Sequence, residues 1–360
     1  MDDEMRELFE FETIEAAPVY SLAECITAAE QRCQAEVFDD APDGADPIME
    51  IKERFRSALY LCDAPEHAFL VLAVMITAKK EAWTENMYYG VFRVFAHNDF
   101  LYLFLWDEQY YLVLPEELIK IYHEVIAEES FAAVNARNLE MTDYAAALLN
   151  LYGAYEIEWF VTVWNHHHKD KITEEQAEKF LSDRACFHAD FYFYDWFVVH
   201  DCIEEDEFEE LWESTEEIDY YMPTKSVIRE YSKKGYDDSK IPGEREMEDF
   251  LAGYIQDERI LETLQFDVKI SCERLWLPAV VREALTDACA PLDDEAFCER
   301  FERLYNNLRD NTHIWELHGF TPHQYTGETG NNLKRFVLPP PKTYKNKKQK
   351  RKYESREGKQ

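Results

Sequence analysis

Two short stretches of this chain carry the period of a β-strand in a sequence that otherwise carries the period of a helix. "FLYLFLWDEQYYLVLP", residues 100–115, holds two apolar-aromatic runs about Asp107, Glu108 and Gln109. "FYFYDWFVVH", residues 191–200, repeats the pattern about Asp195 and Trp196. Runs rich in Tyr, Phe, Trp and Val on either side of a short polar turn predict β-hairpins. Segments of helical period precede each one. Helices followed by a two-stranded hairpin, occurring twice, is the element order of tandem winged-helix-like units. The fold class expected is mainly α (α+β).

Glycine supports this reading. Only 10 of 360 residues are Gly, which argues against sandwiches, barrels and phosphate-cradling nucleotide folds that depend on tight turns. Residues 1–36 read as one or two helices, and "DDAPDGADP", 39–47, as a linker. Helices are expected at 48–62, at 66–80 with Leu70, Val71, Val74 and Met75 as a buried stripe, and at 84–97. Pro115 opens another, with Glu116 and Glu117 in its first turn. In the second unit, "TDYAAALLNLYG", 142–153, is a helix, and "ITEEQAEKFL", 172–181, starts one with Thr173 as cap and Gln176 completing a capping box. Residues 244–309 read as all helical. Pro278 opens one helix, Asp293 or Asp294 caps the last, and Phe297, Phe301, Leu304, Tyr305 and Leu308 form its apolar stripe. The expected division is an N-terminal region, 1–47; winged-helix-like units, 48–130 and 131–221; a helical domain, 222–325; and a disordered basic tail, 326–360.

Charge narrows the partners. The formal net charge is −36, yet residues 342–360 carry nine Lys/Arg against two Glu. Residues 1–341 therefore hold 29 bases against 72 acids, a net −43. Such a body repels nucleic acid and anionic membranes and suits solubility or a basic protein partner. The densest acidic segment, 201–221, has eleven acids and no base. Phe208, Leu211 and Trp212 make it amphipathic, so Glu204, Glu205, Asp206, Glu209 and Glu210 are candidate partner-binding residues. Nucleic acid is a candidate partner only for the tail, through Lys345, Lys347, Lys348, Lys350, Arg351 and Lys352. The helix before the second hairpin carries Glu174, Glu175, Glu178 and Asp183 against Lys179 and Arg184, the wrong sign for a groove-reading helix.

Eight scattered cysteines without a CxxC pair, an acidic N-terminus and no membrane-length apolar run point to a reducing, cytoplasmic setting. No catalytic motif and no cofactor motif stands out, so the expectation is a non-enzymatic protein. Three consecutive histidines, His166–His168, point in different directions and read as a polar turn. Cys186, His188, His200 and Cys202 flank the second hairpin symmetrically. They are a candidate four-ligand metal set, although packing of small side chains at strand ends accounts for the same residues.

One segment is distinctive in kind. "NNLRDNTHIWELHGFTPHQY" places Asn306, Asn307, Asn311, Thr312, Trp315, Gly319, Thr321 and Pro322 in a pattern that resembles uncharacterised bacterial proteins associated with a SEC-C zinc motif or a Rho-type N-terminal domain. "YYLVLPEEL", 110–118, and the aromatic stretches 150–165 and 191–200 are similar to the same group. The chain departs from it by having no cysteine beyond Cys298, so the zinc motif itself is absent. The resemblance brings no activity with it. Three functions follow as expectations: a protein-binding module linked to transcription or translation, an acidic nucleic-acid mimic that inhibits a DNA-binding protein, or an enzyme without a recognisable motif.

Overall fold

The computed structural model describes residues 13–32, 46–83, 89–188, 190–232, 241–274, 278–325 and 336–339. Among these the protein is mainly helical, with two small three-stranded sheets. The chain divides into two compact units, Met1–Phe208 with Met222–Tyr236, and Glu209–Tyr221 with Asp237–Gln360.

The first unit begins with β1 (Thr13–Ile14) and α1 (Leu22–Arg32), followed by α2 (Pro47–Leu59), α3 (Ala64–Lys79) and α4 (Tyr89–His97). The first predicted hairpin is β2 (Tyr102–Trp106) and β3 (Gln109–Val113), paired from Tyr102–Val113 to Trp106–Gln109. Asp107 and Glu108 both take positive φ, as a two-residue turn that matches strand twist requires. Residues 13 and 14 lie in a region expected to be helical. Instead they extend this sheet, running parallel to Leu103 and Phe104. Both are buried, and β-branched residues satisfy the open edge of β2 at little conformational cost.

In α3 a capping box fixes the start: Asp63 Oδ1 accepts from the Glu66 amide at 2.9 Å, and the Asp63 amide donates to Glu66 Oε2 at 2.7 Å. The buried stripe is Phe69, Leu70, Ala73 and Thr77, while Val71 and Met75 are exposed. The expected phase was wrong because this helix is apolar all round, so periodicity cannot select a face. Thr77 bolts it to β3, its Oγ1 donating to the Leu112 carbonyl (3.3 Å) and accepting from the Leu114 amide (3.0 Å).

α5 (Glu116–Ile126) leads to α6 (Phe131–Tyr152), β4 (Ala154–Glu156), α7 (Ile157–His167), α8 (Glu174–His188), β5 (Phe191–Tyr194) and β6 (Phe197–His200). The order in the sheet is β4-β6-β5, all antiparallel. Helix, strand, two helices, hairpin, with the lone strand beside the last one, is winged-helix connectivity. The first hairpin has its helices but draws its third strand from residues 13–14. The capping box of α8 forms as expected, with Thr173 N to Gln176 Oε1 at 3.0 Å and Gln176 N to Thr173 Oγ1 at 3.2 Å. α9 (Glu205–Thr215) follows the second hairpin, and α10 (Lys225–Tyr231) is held to α6 by Asn150 Nδ2 on the Tyr231 carbonyl (2.7 Å).

The second unit contains α11 (Glu244–Ala252), α12 (Glu258–Glu273), α13 (Pro278–Asp287) and α14 (Glu295–Asn311). Its core is Met247, Phe250, Leu264, Val268, Phe297, Phe301, Leu304, Tyr305 and Leu308, joined by Phe336 and Leu338. The stripe expected on α14 is buried throughout, and Asp294 caps the helix through the Ala296 amide (2.9 Å). A buried ion pair, Lys269 Nζ to Glu244 Oε1 at 2.6 Å, ties α12 to α11.

Candidate functional site

The second hairpin projects as a wing. Asp195 takes positive φ at its turn, and Trp196 beside it is 63% exposed. The first hairpin does the same with Trp106, 53% exposed next to Asp107 and Glu108. An indole left in water at a loop tip gives up burial worth about 2–3 kcal/mol, so two of them in corresponding places call for a reason. The start of α9 packs on the second wing through Phe208, whose ring lies 4.9 Å from Tyr194 and 5.1 Å from Phe197. Tyr192 donates its hydroxyl to the Ile203 carbonyl (2.9 Å), tying the segment down further. Glu204, Glu205, Asp206 and Glu207 are thereby held exposed near the wing, and Glu209 and Glu210 are exposed further along the same helix.

α8 occupies the position that a groove-reading helix takes in this connectivity. Its exposed N-terminal half offers Glu174, Glu175 and Glu178 against Lys179. In its C-terminal half Leu181, Arg184 and Phe187 are buried, while Cys186 is exposed. Phe187 stacks near Phe95 (5.7 Å) and Phe100 (6.5 Å), and Asn98 Nδ2 donates to the Phe187 carbonyl (3.1 Å). Arg184 pairs with Asp190 at 2.8 Å, and His188 Nε2 lies 3.2 Å from Glu66 Oε1. Burial lowers the pKa of the Arg184 guanidinium, opposed by Asp190 and Glu66. The Tyr155 hydroxyl beside them is driven far up by burial. Tyr155 Oη, Arg184 Nη1 and Asp190 Oδ1 are buried without hydrogen-bond partners among the described residues. This is an ionic seam between α3, α8 and β4. It holds the inner half of α8 against the helices that precede it.

The four-ligand set does not converge. Cys186 is exposed on α8 and His188 is engaged by Glu66. Among the described residues, the group whose ligand atoms come within 4.8 Å of one another is His200, Asp201 and Cys202. These three are consecutive in one turn, so chain connectivity accounts for their closeness. The Cys202 amide already donates to His200 Nδ1 (3.2 Å), the nitrogen that also faces Asp201 Oδ1 (2.8 Å). His166 and His167 close α7 and His168 caps it, rather than forming an exposed turn. His168 stacks on Trp164 (3.9 Å) and reaches Glu140 (2.9 Å), while His167 meets the Tyr144 hydroxyl (2.9 Å).

The C-terminal pattern is built as a closure. Asn306 donates to the Phe336 carbonyl and accepts from the Phe336 amide, both at 2.9 Å, clipping that segment onto α14. Asn307 Nδ2 fills the space over Gly243, Asn311 donates to the Asn307 carbonyl (2.8 Å), and Thr312 donates to the Leu308 carbonyl (2.9 Å). Trp315 is buried in a 3-10 turn, Trp315–Leu317, under the Arg274 guanidinium at 5.3 Å. His318 and Gly319 take positive φ, and Thr321, followed by Pro322, makes a reciprocal cap with Gln324. His313 and His318 are buried, each with Nδ1 on a backbone carbonyl (Gly319 and Ile218), whereas His323 is exposed. The basic tail residues Lys345, Lys347, Lys348, Lys350, Arg351 and Lys352 lie outside the described residues.

Sequence reading missed an open cleft of about 390 Å³ walled by α2, α6 and α8, with Arg56, Arg137 and Lys179 around it. Its residues come from three helices distant in the chain, and no local pattern signals it. No helix among the described residues is long and apolar enough to cross a membrane. No protein-family model, no curated protein and no solved structure matches the chain.

Proposed function

We propose that this chain is a non-enzymatic interaction protein that docks a basic protein segment on the second wing and the acidic residues beside it, with transcription or translation as the setting. The observation that carries the reading is the wing itself: exposed Trp196 at its tip, with Glu204–Glu207 held next to it by Phe208. An aromatic anchor bordered by carboxylates suits a partner that presents cations around an apolar residue. Use of α8 as a reading helix is disfavoured, since its exposed half is acidic and the Arg184 of its other half is buried on Asp190. The experiment is quantitative cross-linking of the full chain in cell extract, with Trp196→Ala and a Glu204→Lys/Glu205→Lys variant alongside and with the same chain lacking residues 342–360. One basic partner should be captured by the wild type and lost by both wing variants, independently of the tail. Tight, salt-sensitive binding of duplex DNA by residues 1–341 would overturn the reading.

A second reading, the nucleic-acid mimic, draws on α9. Glu205 with Glu209, and Asp206 with Glu210, lie one helical turn apart and are all exposed. They place carboxylates at intervals of about 6 Å along one face. This reading expects capture of a DNA-binding protein that weakens steeply with salt and is displaced by DNA. Capture that resists both would remove it.

A further inference from the structure

The cleft on the first unit is out of character with the rest of the surface. In a chain of net charge −36 it gathers Arg56 from α2, Arg137 from α6 and Lys179 from α8, against one lining acid, Asp183. Behind the cations, Leu61, Met141 and Phe180 give it an apolar floor, and Ser57, Asn138 and Gln176 give it neutral polar walls. A volume of about 390 Å³ falls in the range of small-molecule sites.

Ion pairing offers one explanation for the cations, and its energetics are weak. Arg56 meets Glu124 at 3.1 Å, Arg137 meets Asp170 at 3.1 Å, and Lys179 meets Asp183 at 2.9 Å. All three pairs are solvent-exposed to a substantial degree, where such contacts contribute little to stability. They are exchangeable for another anion at small cost. They also leave Arg137 incompletely used, because its Nε is buried with no acceptor among the described residues. Because that Nε is closed to solvent, an oxyanion in the cleft meets the Nη donors instead: Arg137 lines the cleft and its side chain is 39% exposed. The amides are oriented too. Gln176 Oε1 is spent on the Thr173 amide (3.0 Å), which leaves its NH₂ as a donor for an anion, while Asn138 has its Nδ2 on the Tyr60 carbonyl (3.3 Å).

We propose that this cleft binds a small organic anion with an apolar body, an aryl or alkyl carboxylate or sulfonate. Its headgroup sits on Arg137 with Arg56 in support, and its body lies against Leu61, Met141 and Phe180. Charge excludes the chain's own basic segment as the occupant, and the −43 of the body disfavours nucleic acid there. The inference is independent of the wing reading, since no residue of the cleft belongs to the wing or to α9.

The test is titration of the full chain with anilinonaphthalene sulfonate at ~0.15 M salt, read by fluorescence and by calorimetry. One saturable site is expected, emptied by naphthoate and not by naphthylmethanol, which has the same apolar body without the charge. Arg137→Gln should weaken the probe by about tenfold or more, and Val134→Trp, on an exposed edge of the cleft, should abolish binding by filling it. Both should melt within a few degrees of the wild type, and should Arg137→Gln not fold, Arg56→Gln takes its place. Undiminished binding by a folded Arg variant or by Val134→Trp would overturn the assignment. So would displacement by naphthylmethanol as effective as by naphthoate, or the lack of any saturable site.

Discussion

Glu316 offers the sharpest test of the closure built by the C-terminal pattern. It sits in the 3-10 turn beside Trp315, and although the residue keeps an exposed edge, its Oε2 is buried without a hydrogen-bond partner. Burial raises its pKa from 4.5 to about 7, against partial opposition from its own backbone amide and from Arg274. The folded state therefore holds a proton that the unfolded state gives up near pH 4.5. Stability from this group is greatest below pH 4.5, falls as pH rises toward 7, and is constant above that. The full span is about 3 kcal/mol, and about 2 kcal/mol of it falls between pH 5.5 and 8. That window also keeps the protein clear of its isoelectric point of 4.6. Glu316→Gln has nearly the same shape and no charge at any pH. Urea melts of wild type and variant, followed by tryptophan fluorescence, should show the advantage of the variant growing by about 2 kcal/mol across that window. Many other carboxylates titrate in this acidic chain, but they are common to both proteins and cancel in the difference. A difference that does not change with pH would mean that Glu316 is ionised and solvated in the folded protein, and the closure as described would be wrong.

Three further outcomes can be checked in the same way. Trp315→Ala should destabilise the second unit by about 3–5 kcal/mol, removing a buried indole and its contact with Arg274, and a wild-type thermal midpoint would refute a packing role for this side chain. Lys269→Met alone should cost about 3–5 kcal/mol because it strands the Glu244 carboxylate, while Lys269→Met with Glu244→Leu should recover most of that in urea denaturation. Thr173→Ala should cost about 1 kcal/mol and raise amide exchange in the first turn of α8 without affecting α14.

What could be read in the sequence was local. The hairpins were legible because Tyr, Phe and Trp alternate about a polar turn, and both turns fell where expected, at Asp107–Glu108 and at Asp195. The α8 cap and the α14 stripe were legible because their partners lie three or four residues apart. What failed was settled by distant groups. β1 is two residues long, and its only reason to be extended is the edge of β2, some ninety residues away. β4 is three residues running straight into α7, too short to carry a period of its own. Val71 and Met75 were assigned to the core because α3 is apolar on every side, and the packing of β3 on Thr77 decides which side turns in. The symmetric spacing of Cys186, His188, His200 and Cys202 suggested a shared site, but Glu66, more than a hundred residues upstream, takes His188. The cleft has the same character, for Arg56, Arg137 and Lys179 become neighbours only after three helices pack.

The seam at the end of α8 also bears on why a winged-helix connectivity in this chain does not imply nucleic-acid reading. Arg184 and His188 lie one turn apart on the helix at the reading position, and in sequence they resemble a pair of phosphate contacts. Both are instead turned inward, onto Asp190 at 2.8 Å and Glu66 at 3.2 Å. Freeing them for a groove means separating Arg184, among the most buried cations described, from its carboxylate, and returning Phe187 to water. The phenyl ring alone costs about 2–3 kcal/mol, and Asp190, about a third exposed, loses its cation as well. This is a sizeable fraction of the stability of a typical domain, before any repulsion from Glu174, Glu175 and Glu178 is counted. The same contacts pin the end of α8 to Asp190, Glu66 and Asn98. The second hairpin follows directly on this anchored end of α8, and Phe208 packs on its other side. On the docking function proposed above, aromatic tips set in place gain affinity by avoiding the ordering cost of a mobile loop.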